Sequence, residues 1–383
     1  MNILQRRVAA PRATTVAVVL CSLATIGLPS ADASYLQTNL VTDSQAFLAS
    51  QGFAPAATED RQLINPWGAS FSPTGPFWIS DQGAGVSTLY NGAGAKQALI
   101  VTTPQNAGPP AGPTGQVFNG ANAFLLANSQ RGVFFFANLD GSIAGWNPGA
   151  GTTAQVIVPA SSTARPAAYT GLAIGAVGAD NYLYAANRAT GRIDVFNSTF
   201  AATTLAGNFT DPGANPSGLA PFNVQALNGR LYVTYSIPGA APDEAAAGQG
   251  FVSVFNFDGT FVQRIVADGG QSTSPWGVAI APSNFGELSG ALLVANFHEN
   301  LGFIRAYDPT TGAFRGTLTN LNGGDINIPY LWAILFGNGG NGGAADRLFF
   351  TAGIGDEQHG LFGSFAAVPA PQSALLFVSA LLA

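Results

Sequence analysis

The sequence predicts an all-β fold, a six-bladed β-propeller with four-stranded blades. Three observations predict it: an apolar, glycine-bearing motif returns about every 52 residues, the same succession of short strands follows each return, and the last repeat lacks a strand that the beginning of the chain can supply. Repeats of this period with four strands each are the signature of propeller blades.

The repeat is read from the segments that begin PWGASFS, FNGANAF, YTGLAIG, PFNVQAL, PWGVAIA and PYLWAIL. They bring Gly68, Gly120, Gly171, Asn223, Gly277 and Leu331 into register at separations of 52, 51, 52, 54 and 54 residues. Each is followed by an apolar second strand, FWISD, VFFFAN, YLYAAN, LYVTYS, LLVAN and LFFTAG, and then by a third, GVSTLYN, GSIAGWN, GRIDVFN, GFVSVFN, GFIRAYD and GLFGSF. Turns such as NGAG, NPGAG, NFDG and DPTTG lead on to a fourth strand in the first five units, because Asn, Asp, Pro and Gly suit tight turns. The sixth unit runs instead into AAVPAPQS, whereas the segment YLQTNLVTD near the start looks like the other fourth strands. Tyr35 to Val41 is therefore expected to complete the last blade and to close the ring, leaving no open sheet edge between first and last blades.

Composition agrees with many short strands and tight turns: 48 Gly, 24 Pro, 47% hydrophobic and only 9% charged residues. Nucleic acid is excluded as an expected partner, since the balance is acidic and clustered Lys and Arg are missing. Residues 1–33 read as a secretory signal peptide, with Arg6, Arg7 and Arg12 ahead of an apolar run from Thr14 to Leu28 and the small-x-small pattern Ala31-Asp32-Ala33. Cleavage before Ser34 leaves 11 basic against 19 acidic residues, a net charge of −8. It also removes Cys21, so the mature chain is expected to hold no thiol, disulfide or thiolate metal site. The expected organisation is 1–33 signal peptide, 34–366 propeller and 367–383 sorting tail, with the protein exported and either secreted or held at the cell surface.

Recurring aromatics, Trp67, Trp276, Trp78, Phe134, Tyr182, Tyr232 and Phe349, are expected to pack between blades. The in-register glycines are expected to line a crowded channel wall. Function is sought on the face that carries the loops into each first strand and those between second and third strands. Second strands end there at Asp81, Asn138, Asn187, Ser236, Asn296 and Gly353, so Asp81, Asn138, Asn187 and Asn296 are binding candidates in a ring at the channel mouth. Asp and Asn also serve as turn caps, which competes with that reading.

The only two histidines, His298 and His359, fall in equivalent loops of adjacent blades beside Glu299, Asp356 and Glu357. These five are the candidates for acid/base chemistry or metal ligation. The longer loop IPGAAPDEAAAGQG, with Asp243 and Glu244, is a secondary candidate. A nucleophile elbow, a zincin helix, a P-loop and an EF-hand loop are not present in the sequence.

The segments NLVTD, LINPWGASFSPTGPFWISDQGAGVSTLYNG, GSIAGWNP, LYAANRATGRIDVFNSTF, FTDP, APFNVQAL, SPWGVAIAPSNFG, LLVANF and FTAGIGDEQHGLFGS resemble an uncharacterised bacterial family of exported propellers associated with PEP-CTERM sorting tails. The likeness covers Tyr35 to Phe365 and implies export and a propeller, with no catalytic residues to carry over. NFHENLG departs from the glycine-rich loop of that family. The end VPAPQSALLFVSALLA resembles an incomplete sorting tail, with Ala370 in place of the usual Glu, which would imply an exosortase as partner. Two functions follow. The favoured one is a non-catalytic module binding a glycan, a protein or a matrix polymer, without a cofactor. The alternative is a metal-dependent hydrolase resembling six-bladed lactonases, which would need a divalent cation in the channel. The first-blade segment Asn65-Pro66-Trp67-Gly68 offers no carboxylate for that ion.

Overall fold

The structure is a computed structural model and describes residues 34–104, 111–239 and 244–368. Six antiparallel sheets form the blades of a propeller. Blade 1 is built from Pro66–Ser70, Phe77–Asp81, Val86–Tyr90 and Lys96–Thr102, and blade 2 from Gln116–Phe118, Phe134–Ala137, Ile143–Trp146 and Gln155–Val158. Blade 3 comprises Tyr169–Val177, Asp180–Asn187, Arg192–Asn197 and Ala202–Thr203, and blade 4 Ala220–Leu227, Arg230–Ser236, Phe251–Phe255 and Phe261–Val266. Blade 5 comprises Pro275–Ile280, Leu292–Asn296, Ile304–Tyr307 and Phe314–Thr317. Blade 6 takes Leu331–Phe336, Leu348–Ala352 and Leu361–Val368 from the end of the chain and Ser34–Thr42 from its beginning.

That closing strand pairs antiparallel with the last one, Tyr35 opposite Ala367 and Thr42 opposite Leu361. A short strand, Thr58–Glu59, then adds in parallel on its outer side. Between them lies the helix Gln45–Ser50, whose first turn is capped by the Ser44 hydroxyl accepting from the Phe47 N–H at 3.2 Å. The last strand runs to Val368, two residues past the expected propeller boundary. The signal peptide, Cys21 and residues 369–383 lie outside the described residues.

The second strands of blades 1, 2, 5 and 6 are buried along their whole length, and those of blades 3 and 4 are buried past their first residues, because each blade is covered on both faces by its neighbours. The outer strand Lys96–Thr102 instead alternates in exposure. The turns between third and fourth strands repeat one device, a side-chain oxygen bonding backbone N–H groups ahead of it. Asn91 accepts from Ala93 and Ala95, Asn197 from Thr199 and Ala201, Asp258 from Thr260, and Asp308 from Thr310 and Thr311.

Neighbouring blades meet through aromatic pairs. Trp78 stacks on Phe134 at 4.1 Å between ring centres, and Phe77 meets Phe349 at 4.6 Å. Gly68, Gly171 and Gly277 lie where an added Cβ would strike the backbone of the next blade's first strand. In blade 2 the residue so placed is Gly115, not Gly120: a Cβ on Gly120 would touch only the Phe118 ring, at 3.5 Å. The first strand of blade 2 starts five residues earlier than the repeat suggested, because Gly115 precedes Gln116–Phe118 while Gly120 follows it.

Candidate site at the channel mouth

First strands begin and second strands end on the same face, since Pro66 pairs with Asp81, Tyr169 with Asn187, Ala220 with Ser236 and Pro275 with Asn296. On this face the channel opens into a cavity of about 470 Å³ lined by Trp67, Leu139, Thr170, Arg188, Trp332 and Glu357, with small residues between them. Ligand sites are commonly concave, largely apolar and set with a few polar groups, at volumes of about 300–1,000 Å³.

The floor of the cavity is an aromatic plug across the channel. Trp67 and Trp332 stack at 3.6 Å with an interplanar angle of 22°, and Phe297 stacks on Trp332 at 3.9 Å. Trp276 meets both indoles edge-on. Trp67 and Trp276 thus fill the channel waist rather than the spaces between blades. The bulky side chains that reach the axis have no other surface to cover, whereas Trp78, Phe134 and Phe349 lie farther out and pack blade on blade.

Polar groups surround that floor. The Trp332 Nε1–H donates to Asn65 Oδ1 at 3.0 Å, and the Asn65 amide donates to Gln82 Oε1 at 2.8 Å and Glu357 Oε1 at 3.2 Å. Arg188 donates to the Ile237 carbonyl at 2.9 Å and lies 5.1 Å from the Phe222 ring centre. Two further atoms in the lining residues are buried with no hydrogen-bond partner among the described residues, the Trp67 Nε1–H and the Thr170 hydroxyl. Unpaired buried polar atoms also occur away from the cavity, at Ser80, Ser87, Thr234 and Ser364. Four residues at this face, Asn65, Tyr330, Asp356 and Glu357, hold φ of 45°, 55°, 54° and 62°, in the left-handed region that residues other than glycine seldom adopt, as do Phe124, Ser129, Phe200 and Asn228 elsewhere.

Of the candidate catalytic and binding residues named from the sequence, Glu357 alone lines this cavity. Asp356 accepts the Tyr330 hydroxyl at 2.7 Å and, with Glu299, borders a separate cleft of about 190 Å³. His298 is spent on its own loop, where Nδ1 accepts from the N–H groups of Asn300 at 2.9 Å and Leu301 at 3.1 Å. His359 pairs through Nδ1 with Asp43 Oδ2 at 2.7 Å and stacks on Phe47 at 3.7 Å, so it clamps the segment after the closing strand onto blade 6. Its carboxylate partner comes from the far end of the chain, which adjacency in sequence could not reveal. Asp243 lies outside the described residues, and Glu244 is exposed.

Asp81, Asn138, Asn187 and Asn296 are all buried. Asn187 donates to the Pro166 carbonyl and to Asp194, Asn138 to the Ser142 hydroxyl and Asn296 to the Phe303 carbonyl, so each holds its own loop. Asp81 Oδ2 accepts from the Thr88 N–H at 3.1 Å and hydroxyl at 2.6 Å, while Oδ1 has no partner among the described residues. Burial pushes its carboxyl well above the usual range, and the bonds from Thr88 only partly oppose this. Nearby Asp60 is held below that range: its burial acts the other way but is outweighed by bonds from Lys96, at 2.6 Å, from Tyr90, at 2.5 Å, and from the Gln62 backbone. Lys96 is the only lysine in the chain.

A stability prediction follows from Asp81. Between the ordinary carboxyl range and its raised folded value, the side chain is protonated in the fold and ionised in the unfolded chain. Unfolding then releases a proton, and rising pH lowers stability by up to about 1.4 kcal/mol per pH unit. Asp81→Asn should remove that slope. Melting curves of both proteins from pH 4 upward check this, and parallel pH profiles would contradict it.

Among the described residues no three His, Cys, Asp or Glu side chains lie together as a metal-binding group. The carboxylate in the cavity lining is Glu357. Trp332, Thr170 and Arg188 were not singled out in the sequence. Arg188 carried the one usable signal, a guanidinium directly after Asn187 in a second-to-third-strand loop of a chain poor in charge.

No family model matches the chain. It is 30% identical over 329 residues to the uncharacterized protein R648 of Acanthamoeba polyphaga mimivirus, covering 83% of this chain and 78% of that protein. With the uncharacterized protein L690 of the same virus it shares 28% identity over 329 residues, 83% of this chain and 84% of the relative. Among solved structures, a streptogramin B lyase superposes with a TM-score of 0.48 at 10% identity, over 88% of this chain and 98% of that one. A gluconolactonase from Xanthomonas campestris does so with a TM-score of 0.39 at 16% identity, over 74% and 90%. The viral relatives overturn the resemblance to a bacterial PEP-CTERM propeller family. Its motifs lie in strands, turns and blade contacts that any lineage of this propeller must keep, so they did not discriminate between lineages. The chain belongs to the family of the uncharacterized mimivirus protein R648.

Proposed function

We propose that this protein is a non-catalytic binding propeller and that its ligand, a glycan, seats in the cavity at the channel mouth. The observation that carries this reading is an indole-floored cavity with Arg188 and Glu357 in its wall. Sugars present hydroxyls that both donate and accept, together with apolar ring faces. A wall offering a guanidinium and a carboxylate beside indoles complements both. A protein or polymer partner would instead be read over the wider rim of six blades. The hydrolase alternative draws less support, because a channel cation would need carboxylate ligands and Glu357 supplies one.

The test is a glycan array followed by titration of the full-length protein with the best binder. Arg188→Met keeps the length and removes the guanidinium, so it should weaken binding about tenfold, with folding checked by the melting temperature. Absence of any glycan binder, or a variant that binds as the parent does, would refute the assignment.

Export is the proposed route to that ligand. The basic and apolar pattern of residues 1–33 supports it, and cleavage before Ser34 would leave the closing strand Ser34–Thr42 whole. Protein recovered from the medium of producing cells should begin at Ser34 by N-terminal sequencing. An intact Met1 terminus on cell-retained protein would count against it.

A further inference from the structure

Blade 3 differs from its neighbours at its outer edge. Its fourth strand, Ala202–Thr203, has 2 residues, whereas those of blades 1, 2, 4 and 5 have 7, 4, 6 and 4. After Thr203 the chain leaves the sheet for blade 4, where the Gly207 N–H donates to the Asp258 carbonyl at 2.8 Å and the Phe209 N–H to that of Gly259 at 3.1 Å. Thr203 lies opposite Val195, so the third strand from Arg192 to Asp194 has no strand on its outer side.

Along an antiparallel edge every second residue turns its N–H and C=O outward. The Asn197 N–H donates outward, to the Ala201 carbonyl at 3.0 Å, which sets the backbone groups of Val195 and Ile193 on that same side. In other blades the residue equivalent to Ile193 is covered. Ser87 lies opposite Val101, Ile143 opposite Val158 and Val252 opposite Val266, and the Ile304 carbonyl accepts from the Leu318 N–H at 3.0 Å. Ile193 has no such outer partner among the described residues, although it is only 7% exposed. Buried backbone groups are nearly always paired, so this edge is short of a strand. A cavity of about 420 Å³ lies against it, lined by Arg165, Arg192 and Asp194 and by the apolar Ile193, Leu205 and Phe209. Arg192 is exposed and bonds through Nε to Asp194 at 3.2 Å, leaving its two terminal nitrogens without a partner among the described residues.

We infer that this edge docks an extended peptide segment of a partner protein, which adds to blade 3 in line with Ala202–Thr203 and carries an apolar residue followed by an acidic one. The apolar residue lies opposite Ile193: its N–H donates to the Ile193 carbonyl, its own carbonyl accepts from the Ile193 N–H, and its side chain faces Leu205 and Phe209. Running antiparallel to the third strand, the next residue lies opposite Arg192, and there a carboxylate meets the free end of the guanidinium. Charge selects the partner. Two guanidiniums against one carboxylate make this wall basic in a chain whose 20 acidic residues outnumber 14 basic ones.

The probe is the peptide Ser-Thr-Val-Glu-Thr, acetylated, amidated and tagged with a fluorophore, titrated with the full-length protein and followed by fluorescence polarisation. It should bind saturably at one peptide per chain. A methyl on the Val nitrogen removes the donor to the Ile193 carbonyl and should weaken binding about tenfold. A methyl on the Glu nitrogen, which points to solvent, should leave it unchanged. Lys in place of Glu should weaken binding about fivefold, and Arg192→Glu should invert the preference between these two peptides. Arg188→Met, in the mouth cavity, should bind both as the parent does, which separates this test from that of the glycan site. The peptide comparisons need no variant and so stand even if Arg192→Glu fails to fold. Binding that does not saturate, equal losses from the two methylated peptides, or an unchanged preference in folded Arg192→Glu would each overturn the proposal. Self-association of the chain with the peptide unbound would assign the edge to a second copy and overturn it as well.

Discussion

A chain that begins at Asp43, without the strand Ser34–Thr42, is expected to lose cooperative unfolding altogether. The strand pairs with Leu361–Val368 along its whole length, so its removal strips blade 6 of the antiparallel ladder that closes the ring. It also removes the buried side chains of Tyr35, Leu40 and Val41, and the bond from the Tyr35 hydroxyl to the Phe285 carbonyl in blade 5, at 3.1 Å. Burial of three such side chains contributes roughly 5–9 kcal/mol, comparable with the whole stability of a typical domain, about 5–15 kcal/mol. The remaining chain would expose an apolar sheet edge, which favours association with other chains. Thermal and urea unfolding followed by circular dichroism check this. A single sharp transition within a few degrees of the parent would show that the ring does not depend on this closure.

Replacing Trp332 by Ala is expected to cost about 3–5 kcal/mol, the range for removing a large aromatic from a well-packed core. Trp332 is fully buried and central to the plug, stacked between Trp67 and Phe297. Its loss leaves a void on the channel axis and orphans Asn65 Oδ1, which would then be buried with no donor from Trp332. The urea midpoint should fall with an unchanged slope. Trp332→Phe should keep much of the packing, lose the bond to Asn65 and give a smaller shift. Equal losses in the two variants would assign the whole effect to that hydrogen bond rather than to the plug.

Of the histidines and carboxylates named as candidates, Glu357 is the one at the mouth cavity. Histidines and carboxylates stand out in a chain with so few ionisable groups, yet His298 and His359 are tied into loops and Asp81 is buried beneath the face it was expected to mark. Scarcity made them visible. It says nothing about which side chains reach the axis.

Six blades, four strands in each, turns built on Asn and Asp, and the closing strand at Tyr35 to Val41 were all determined by the sequence alone. Each of these rests on local pattern: strand periodicity, turn chemistry and a repeat that counts its own blades. The mouth cavity and its indole floor were decided only in three dimensions. They bring together Trp67 of blade 1, Thr170 and Arg188 of blade 3 and Trp332 and Glu357 of blade 6, residues far apart in the chain. The same limit appears in blade 2, where Gly115 rather than Gly120 meets the next blade. A glycine motif marks close approach, and only the packed neighbour shows which glycine is approached.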